Sequence, residues 1–270
     1  MKNTKQNYAI GVFDSGLGGL TVVKEIMRQL PNEKIVYFGD TARVPYGTKS
    51  KESIIRFSKE NVNVLLKHNV KMIVVACNTC SSLALVILKQ AFNLPIMGVI
   101  IPGAKKAARV TKNKKVGVIA TPATINSQAY AKNIKFFDNS IKVVSQACPL
   151  FVPLAEEGWF DKSVTFDIAA EYLKNMKKEK VDALILGCTH YPLLTSVLQK
   201  VMGKGVRLVN SAQEIAVEVE GILKQKNLIR RGRTKPQHEF LVSDEPKHFK
   251  KLAKRFLGRP LGSVKRVNNV

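Results

Sequence analysis

Short aliphatic runs alternate along this chain with segments in which apolar residues recur at helical spacing. The runs are continuous, without regularly interleaved polar residues, which is typical of parallel strands buried on both faces. Strands are predicted over residues 8–13, 34–38, 72–76, 96–99, 116–120, 142–146, 183–187, 207–209 and 239–242. Helices are predicted over residues 20–30, 51–68, 81–92, 166–178, 193–202, 212–226 and 246–256. This alternation predicts a parallel α/β protein.

The order of these elements contains a weak internal repeat. In the first half, the strand before Asp14 is followed later by a strand that ends at Cys77. In the second half, the strand before Thr121 is followed by one that ends at Cys188. We therefore predict two similar parallel-sheet α/β domains, related by pseudo-symmetry, with the active site in the cleft between them. The first domain comprises residues 1–100 and 212–270, because the last segment is expected to return to it, and the second comprises residues 101–211.

Two cysteines occupy matching places in these halves. Cys77 closes one apolar run and Cys188 closes another. Ligands of open α/β sheets bind at the carboxyl ends of the strands, so we predict that both thiols face one cleft. Two thiols on opposite sides of a substrate can relay a proton across it. The alternative is that both are small core residues, since free cysteine is often simply buried.

Titratable residues beside the two thiols are candidates for supporting roles. A thiol has an ordinary pKa of about 8.5, within reach of neutral pH, and a nearby carboxylate or imidazole can hold or move its proton. Asp14 is the candidate partner of Cys77, and His190 is that of Cys188. Helix capping alone would also explain Asp14, and a buried, hydrogen-bonded side chain would explain His190.

Hydroxyl and amide side chains follow the thiols as well. Asn78, Thr79 and Thr189 are expected at helix starts, where capping or anion binding would explain each of them. The loop over residues 40–47 is expected to lie over the mouth of the cleft. From the residues alone, Glu156 is expected at a solvated helix start.

The remaining cysteines favour no disulfide framework. Four cysteines, Cys77, Cys80, Cys148 and Cys188, are too few for one in a chain of 270 residues. Cys77 and Cys80 have the C-x-x-C spacing of redox and zinc sites, but no second pair follows, so a closed zinc site is not expected. A redox dithiol is an alternative that leaves Cys188 unexplained. Cys80 and Cys148 are interpreted as structural.

Composition otherwise describes an ordinary globular protein, with 45% hydrophobic and 24% charged residues. No run approaches the roughly 18 apolar residues that span a bilayer. The amino terminus runs into a strand-like segment rather than the apolar core of a signal peptide. We therefore expect a cytoplasmic protein.

Charge is the unusual property of this chain. The 44 Lys and Arg residues against 20 Asp and Glu residues give a net charge of +24, and residues 224–270 contribute +11 of it. Phosphate contacts rest on Lys and Arg, so a basic nucleic-acid-binding protein is the alternative from a different class. No DNA- or RNA-binding motif accompanies the charge, and a solvated face would explain it as well.

Four motifs together resemble glutamate racemase. They are Phe13-Asp-Ser-Gly-Leu-Gly-Gly19, Gly39-Asp-Thr-Ala-Arg-Val-Pro-Tyr-Gly47, Ala76-Cys-Asn-Thr79 and Gly187-Cys-Thr-His-Tyr-Pro-Leu-Leu194. They follow the order of that family, and the likeness runs from about Tyr8 to Leu257. The aspartate/glutamate racemase superfamily shares the plan of two cysteines. The histidine after the second Cys-Thr, followed by Tyr-Pro-Leu-Leu, resembles the glutamate branch rather than the aspartate branch.

The resemblance implies an isomerase that interconverts L- and D-glutamate without a cofactor and supplies D-glutamate for peptidoglycan. It implies that Cys77 takes the Cα proton from D-glutamate, with Asp14 assisting. Cys188 takes it from L-glutamate, with His190 and Glu156 assisting. The substrate-contacting positions of the family correspond here to Asp14, Ser15, Pro45, Tyr46, Gly47, Asn78, Thr79, Thr121, Thr124, Thr189 and His190. A racemase for aspartate or another acidic amino acid is the alternative within the superfamily.

The resemblance also implies a homodimer, with no cofactor and no metal. We expect glutamate as the small-molecule partner, no membrane association, and only nonspecific contact between nucleic acid and the basic surface. Two features depart from the family. Cys80 stands where a small residue such as Ala is more usual, which adds an oxidation route to a disulfide with Cys77. The net charge of +24 is not explained by the family pattern.

Overall fold

Ten strands form two parallel sheets within residues 4–232 and 234–268, which are the residues that this computed structural model describes. The strands are β1 (Ala9–Asp14), β2 (Ile35–Gly39), β3 (Val70–Val75), β4 (Ile96–Gly98), β5 (Lys115–Ala120), β6 (Lys142–Ala147), β7 (Ala183–Gly187), β8 (Arg207–Asn210), β9 (Glu239–Val242) and β10 (Lys265–Arg266). The strand order is β10-β9-β2-β1-β3-β4 in the first sheet and β6-β5-β7-β8 in the second.

Helices connect the strands and cover both sheets. They are α1 (Leu20–Gln29), α2 (Lys51–Leu66), α3 (Asn78–Leu83), α4 (Leu85–Ala91), α5 (Ile100–Val110), α6 (Pro122–Asn126), α7 (Ala129–Phe137), α8 (Phe151–Glu157), α9 (Ser163–Lys178), α10 (Thr195–Met202), α11 (Ser211–Gln225) and α12 (Pro246–Leu257). In addition, 3-10 turns cover Thr4–Asn7, Tyr46–Thr48 and Tyr191–Leu194. Within the described ranges, no helix combines the length and the apolar character needed to cross a membrane.

Alternate residues of the central strands pack on opposite faces of each sheet, which explains why the strand sequences are continuously apolar. In the first sheet, Ile10 and Val12 pack with α1, α11 and α12 on one face. Phe13 and Val36 pack with α2, α3 and α4 on the other face. The second sheet likewise has a separate apolar cluster on each face.

The two sheets share one strand order. The order β2-β1-β3-β4 of the first sheet has the same connectivity as β6-β5-β7-β8 of the second. Cys77 follows β3 and Cys188 follows β7, so the thiols lie at corresponding strand ends. The last part of the chain returns to the first sheet, where β9 pairs with β2 and opposes Tyr37 to Phe240.

Four helices, α5 to α8, were not predicted from the sequence. α5 and α8 each contain a proline, Pro102 and Pro153, that made the segment resemble a loop. Both prolines lie at the third position of their helix, where a backbone N–H has no partner within the helix and its loss is tolerated. The domain boundary predicted near residue 100 coincides with the start of α5.

Two further predictions were wrong in detail. The helix expected over residues 81–92 begins earlier, at Asn78, and is interrupted at Ala84 between α3 and α4. Glu156 is not at a helix start but at the carboxyl end of α8. Its helix begins five residues earlier, at Phe151, and accommodates Pro153 in its first turn.

Candidate active site

A cavity of about 320 Å³ lies between the carboxyl edges of the two sheets. Both Cys77 and Cys188 line it, each from its own sheet. The other lining residues are Ser15, Val44, Pro45, Tyr46, Gly47, Thr48, Asn78, Thr79, Thr121, Pro122, Pro149, Val152, Pro153, Glu156, Thr189 and His190. The structure therefore brings together most of the predicted site residues. Asp14 and Thr124 lie directly behind residues of this lining.

Cys77 occupies the position directly before the first turn of α3 and is 5% exposed. Its sulfur lies 3.8 Å from Ser15 Oγ. A hydrogen bond with the Cys80 thiol lowers the pKa of Cys77 below its ordinary value, although burial and the charge of Asp14 oppose the shift. Cys80 is completely buried behind it. The neighbouring thiol thus favours the thiolate form of Cys77.

Cys188 belongs to a chain of three side chains in the domain of the second sheet. Cys188 and His190 follow β7, and Glu156 lies on α8. Its sulfur lies 3.8 Å from His190 Nδ1, and His190 Nε2 lies 3.0 Å from Glu156 Oε1. Burial alone would lower the pKa of His190, but its hydrogen bonds with Cys188 and Glu156 raise it to about 10. The imidazole is therefore protonated at neutral pH and donates to both partners. A positive charge therefore lies beside the Cys188 sulfur.

Asp14 is fully buried at the end of β1. Its Oδ2 accepts a hydrogen bond of 3.1 Å from the Gly16 backbone N–H, while Oδ1 has no hydrogen-bond partner among the residues that the structure describes. Burial raises the pKa of Asp14, although the charge of His190 and backbone N–H groups of the following turn oppose this. An unpaired buried carboxylate oxygen is costly, so a donor from a bound molecule would be favourable here.

Three threonine hydroxyls join the two domains beside the cavity. Thr79 Oγ1 lies 3.0 Å from Thr121 Oγ1 and 3.2 Å from Thr124 Oγ1, and the last two are 3.0 Å apart. Thr79 and Thr121 line the cavity, whereas Thr124 is buried behind them and supports both hydroxyls. Thr121 also caps α6 by accepting a hydrogen bond from the Thr124 backbone.

Comparison with known proteins identifies the family to which this chain belongs. Residues 10–219 match the Asp/Glu/Hydantoin racemase family. Over 260 residues, which are 96% of each chain, this chain is 52% identical to the glutamate racemase of Geobacter metallireducens. The chain belongs to this racemase family.

Two solved structures extend the likeness to the complete fold. A glutamate racemase isoform of Bacillus anthracis superposes with a TM-score of 0.93 at 42% identity, covering 97% of this chain and 98% of that one. The glutamate racemase of Francisella tularensis, solved in complex with D-glutamate, has a TM-score of 0.91 at 40% identity, with 97% and 98% covered. The predicted pair of parallel-sheet α/β domains and the resemblance to glutamate racemase are therefore confirmed.

The loop before α2 places backbone rather than a side chain in the cavity of this racemase. Tyr46 is 1% exposed, and its hydroxyl hydrogen-bonds to the buried carboxylate of Asp40 inside the first domain. The next residue, Gly47, approaches the other domain so closely that a Cβ atom there would lie 2.8 Å from Thr121 Cβ. The anchored tyrosine therefore fixes the position of the adjacent backbone N–H groups.

Asn78 is oriented by a residue that the sequence analysis missed. The Tyr130 hydroxyl, from α7 of the second domain, donates a hydrogen bond of 2.7 Å to Asn78 Oδ1, and it lies 2.9 Å from Ser211 Oγ. This leaves the amide NH₂ of Asn78 as a donor at the cavity wall. Tyr130 belongs to no recognised motif and lies on an unpredicted helix, so no signal in the chain identified it.

The turn before α1 packs directly on the residues beside Cys188. A Cβ atom at Gly18 would lie 2.2 Å from Thr189 Oγ1 and 2.6 Å from His190 Nδ1. In addition, Thr21 Oγ1 donates a hydrogen bond of 3.0 Å to the Thr189 carbonyl. Only glycine permits this close approach between the domains. Thr189 lies on a turn before a 3-10 segment, and not at a helix start as predicted.

Proposed function

We propose that this protein interconverts L- and D-glutamate by moving the Cα proton between two thiols, Cys77 and Cys188. The observation that supports this most directly is the presence of two nearly buried cysteines at corresponding strand ends of two domains, lining one small cavity. High similarity to named glutamate racemases over almost the whole chain supports the substrate. The reaction makes the protein an isomerase that supplies D-glutamate for bacterial peptidoglycan.

The reaction needs one thiolate and one thiol on opposite sides of the substrate. With D-glutamate bound, the Cys77 thiolate removes the Cα proton and the Cys188 thiol donates a proton to the opposite face. The product is L-glutamate, with a thiol at Cys77 and a thiolate at Cys188. The same steps in reverse convert L-glutamate, so each turnover leaves the pair ready for the other enantiomer.

Each thiol has its own support in this mechanism. Asp14 assists Cys77, because its negative charge makes the nearby thiolate a stronger base. His190 assists Cys188 by stabilising the thiolate form, and Glu156 keeps His190 protonated and oriented. The unpaired Oδ1 of Asp14 is also suited to accept a hydrogen bond from the substrate ammonium group.

The other polar residues of the cavity bind the substrate's charged groups. The Cα proton of an amino acid is very weakly acidic, so donors must stabilise the charge that develops when it leaves. We assign this role to hydroxyls, amides and backbone N–H groups around the cavity. The residues are Ser15, Tyr46, Gly47, Asn78, Thr79, Thr121, Thr124 and Thr189, with Tyr46 contributing its backbone and Thr124 acting through its two neighbouring hydroxyls. Pro45 has no N–H to donate and contributes to substrate binding as part of the cavity wall.

The first experiment follows the circular-dichroism signal of L- and D-glutamate with reductant and chelator and without pyridoxal phosphate. We expect the signal of both glutamate enantiomers to decay to zero, while aspartate run in parallel keeps its signal. Decay with aspartate instead would favour the alternative racemase for a shorter acidic amino acid. A flat trace with folded, reduced protein would remove the assignment as a racemase.

The two-thiol mechanism is tested by Cys77→Ala and Cys188→Ala. Each substitution should lower racemisation by at least about a hundredfold, which is the lower end of what general acid–base groups contribute. Cys148→Ala is the matched control, because Cys148 is buried outside the cavity lining and should leave kcat nearly unchanged. If Cys188→Ala racemises at nearly the rate of the unmodified protein, the two-base mechanism is wrong.

We further propose that the protein acts in the cytoplasm as a homodimer. The cytoplasmic assignment is supported by the four cysteines, which are all free thiols as in a reducing compartment, and the dimer by the resemblance to glutamate racemases. Size-exclusion chromatography with light scattering checks the dimer, for which the expected mass is twice 30.0 kDa. A monomer at micromolar concentration would contradict it.

A further inference from the structure

The last long helix of the first domain contacts the catalytic side chains of the second domain. Arg255, on α12, donates a hydrogen bond of 2.6 Å from Nη1 to the backbone carbonyl of Glu156. Its guanidinium also lies against Gly158, where a Cβ atom would come within 2.9 Å of Arg255 Cζ. The first domain therefore contacts the end of α8 at the very residue whose carboxylate binds His190.

The carbonyl that Arg255 binds needs a donor from elsewhere. The last carbonyls of a helix have no partner within it. At the end of α8, the Leu154 and Ala155 carbonyls accept hydrogen bonds from the backbone of Trp159 and Gly158. The Glu156 carbonyl instead accepts from the guanidinium. A cation at this position also interacts favourably with the negative end of the helix dipole.

Glu156 thus joins a contact between domains to the proton relay. Its backbone is bound by Arg255 of the first domain, and its carboxylate lies 3.0 Å from His190 Nε2 of the second. His190 in turn lies 3.8 Å from the Cys188 sulfur. Phe256, next to Arg255, packs edge-on against the His190 ring with centroids 5.3 Å apart. Two adjacent residues of α12 therefore contact this relay.

We propose that Arg255 is a positioning residue for the Cys188 half of the reaction, which fixes the carboxyl end of α8 and so aligns Glu156 with His190. This inference rests on the proposed function and adds a residue to it that does not touch the substrate. Arg255 itself is exposed, and a typical exposed ion pair contributes little to stability. Its effect is expected instead on the geometry of the relay, because it binds a backbone carbonyl adjacent to the catalytic cavity.

The test compares Arg255→Met, Arg255→Lys and Lys254→Met. Methionine keeps much of the aliphatic stem but removes the donors, whereas lysine keeps one charged donor and should restore part of the activity. Lys254 is exposed on the same helix and provides the control. We expect Arg255→Met to lower kcat/KM about tenfold in both directions, since a partly misaligned relay loses part of its acid–base contribution. Lys254→Met should change kcat/KM by less than about twofold.

Deuterium isotope effects give the readout that is specific for positioning. Under the proposed mechanism, Cys188 removes the proton of L-glutamate and Cys77 that of D-glutamate. Weakening the Cys188 relay makes its step more rate-limiting. In Arg255→Met, the deuterium isotope effect on kcat/KM should therefore be larger than in the unmodified protein with Cα-deuterated L-glutamate, and smaller with Cα-deuterated D-glutamate. A loss of stability alone would leave both isotope effects unchanged.

A second readout does not require turnover. The titratable groups that face His190 are Cys188 on its own loop, Glu156 on α8 and Asp14 at the end of β1. Loosening the Glu156 contact should lower the pKa of His190, measured by nitrogen NMR, in Arg255→Met but not in Lys254→Met. If the unmodified protein does not racemise glutamate, the proposed function fails and this titration still decides the role of Arg255.

Two outcomes would overturn the inference. One is an Arg255→Met protein whose kcat/KM, isotope effects and His190 titration equal those of the unmodified protein. The other is a variant that melts at a lower temperature but shows unchanged values per folded molecule, because Arg255 would then serve stability alone.

Discussion

At the scale of single residues, the two catalytic thiols of the proposed mechanism have different surroundings. Cys77 has a second thiol beside it, whereas Cys188 has a protonated histidine. Each sulfur therefore has a different hydrogen-bonding neighbour. The residue Cys80, interpreted from the sequence as structural, therefore also affects the chemistry of its neighbour.

Replacing Cys80 with Ala should make Cys77 a less reactive nucleophile near neutral pH. The hydrogen bond with Cys80 lowers the pKa of Cys77, so its removal raises that pKa and decreases the thiolate fraction at a given pH. The measurement is the pH dependence of Cys77 alkylation by iodoacetamide, located by peptide mass spectrometry. The midpoint should move to higher pH in Cys80→Ala and stay in place in Cys148→Ala. A midpoint that moves to lower pH would contradict the assignment of Cys80 as the donor.

Glu156→Gln should reduce stability in a manner that depends on pH. The folded-state pKa of His190 is raised to about 10, above its ordinary value of about 6.5. Protonation of His190 therefore stabilises the fold fully below pH of about 6.5, and this contribution is lost as the pH rises through about 10. Removing the Glu156 charge lowers the folded pKa.

Urea unfolding of both proteins at pH 6 and at pH 10.5 checks this expectation. The difference in free energy of unfolding should be large at the lower pH and nearly absent at the higher pH. An equal difference at both values would mean that Glu156 contributes by packing and not by holding the proton of His190.

At the scale of elements, a buried ion pair ties the returning part of the chain to the first sheet. Lys71 Nζ, at the start of β3, contacts Glu33 Oε2 at 2.5 Å and the carbonyls of Leu228 and Gln6 at 2.8 and 3.0 Å. The Arg230 backbone donates to the other Glu33 oxygen. Both charged side chains are almost completely excluded from solvent. The pair lies at the amino edge of the sheet, opposite the cavity.

Glu33→Gln should destabilise the fold by about 3–5 kcal/mol, because it leaves the Lys71 charge buried without its partner. The change is measured by urea unfolding at pH 7. Glu218→Gln, which breaks a more exposed pair with Lys105, is the matched control and should leave the midpoint nearly unchanged. Since neither residue lies near the cavity, kcat of the folded Glu33→Gln protein at low temperature should be retained. A small loss of stability would show that water or a neighbouring group replaces the carboxylate.

Much of the fold and the centre of the candidate site could be predicted from the sequence. Cys77 and Cys188 each follow a continuous apolar strand, and strand ends of parallel sheets converge on one edge. The helices that were missed either contain a proline, as α5 and α8 do, or lie between the recognised motifs and belong to none of them, as α7 does. Glu156 and Tyr130 lie on those helices. Tyr130 contacts Asn78 only where the two domains meet, and Glu156 contacts His190 34 positions further along the chain, so no local pattern of residues could reveal either contact.

At the scale of the whole molecule, the cavity is bounded by direct contacts between the domains. Thr79 meets Thr121, Asn78 meets Tyr130, and Gly18 packs on Thr189. Every one of these contacts involves a residue within a few positions of a thiol or of the strand end opposite it. The contacts that hold the two domains together therefore also shape the site. This arrangement favours exclusion of water from the reaction.

The net charge of +24 is the second property of the whole molecule. Several lysines are paired with carboxylates across the described surface, yet the excess remains large. The outer face of α12 is exposed and carries Lys247, Lys250 and Lys251. Because Arg255 and Phe256 of the same helix contact Glu156 and His190, this basic face adjoins the cleft.

We predict that this charge assists the binding of the anionic substrate. Between about 10 mM and 1 M ionic strength the Debye length falls from about 30 Å to about 3 Å, so the attraction is screened. KM for both glutamate enantiomers should rise about threefold over this range, while kcat stays constant. Replacing Lys247, Lys250 and Lys251 together with Gln should raise KM at low salt and flatten its salt dependence.

The matched control replaces Lys174, Lys177 and Lys178 of α9, which are also exposed but lie on the outer helix of the second domain. It changes the net charge equally, so a local field and total charge can be separated. A KM that does not depend on salt would exclude both a local field from α12 and an effect of the total charge. Steep, salt-dependent DNA binding that persists in Cys77→Ser would then give the basic surface a partner other than the substrate, because phosphate neutralisation depends on lysine and arginine and not on the thiols.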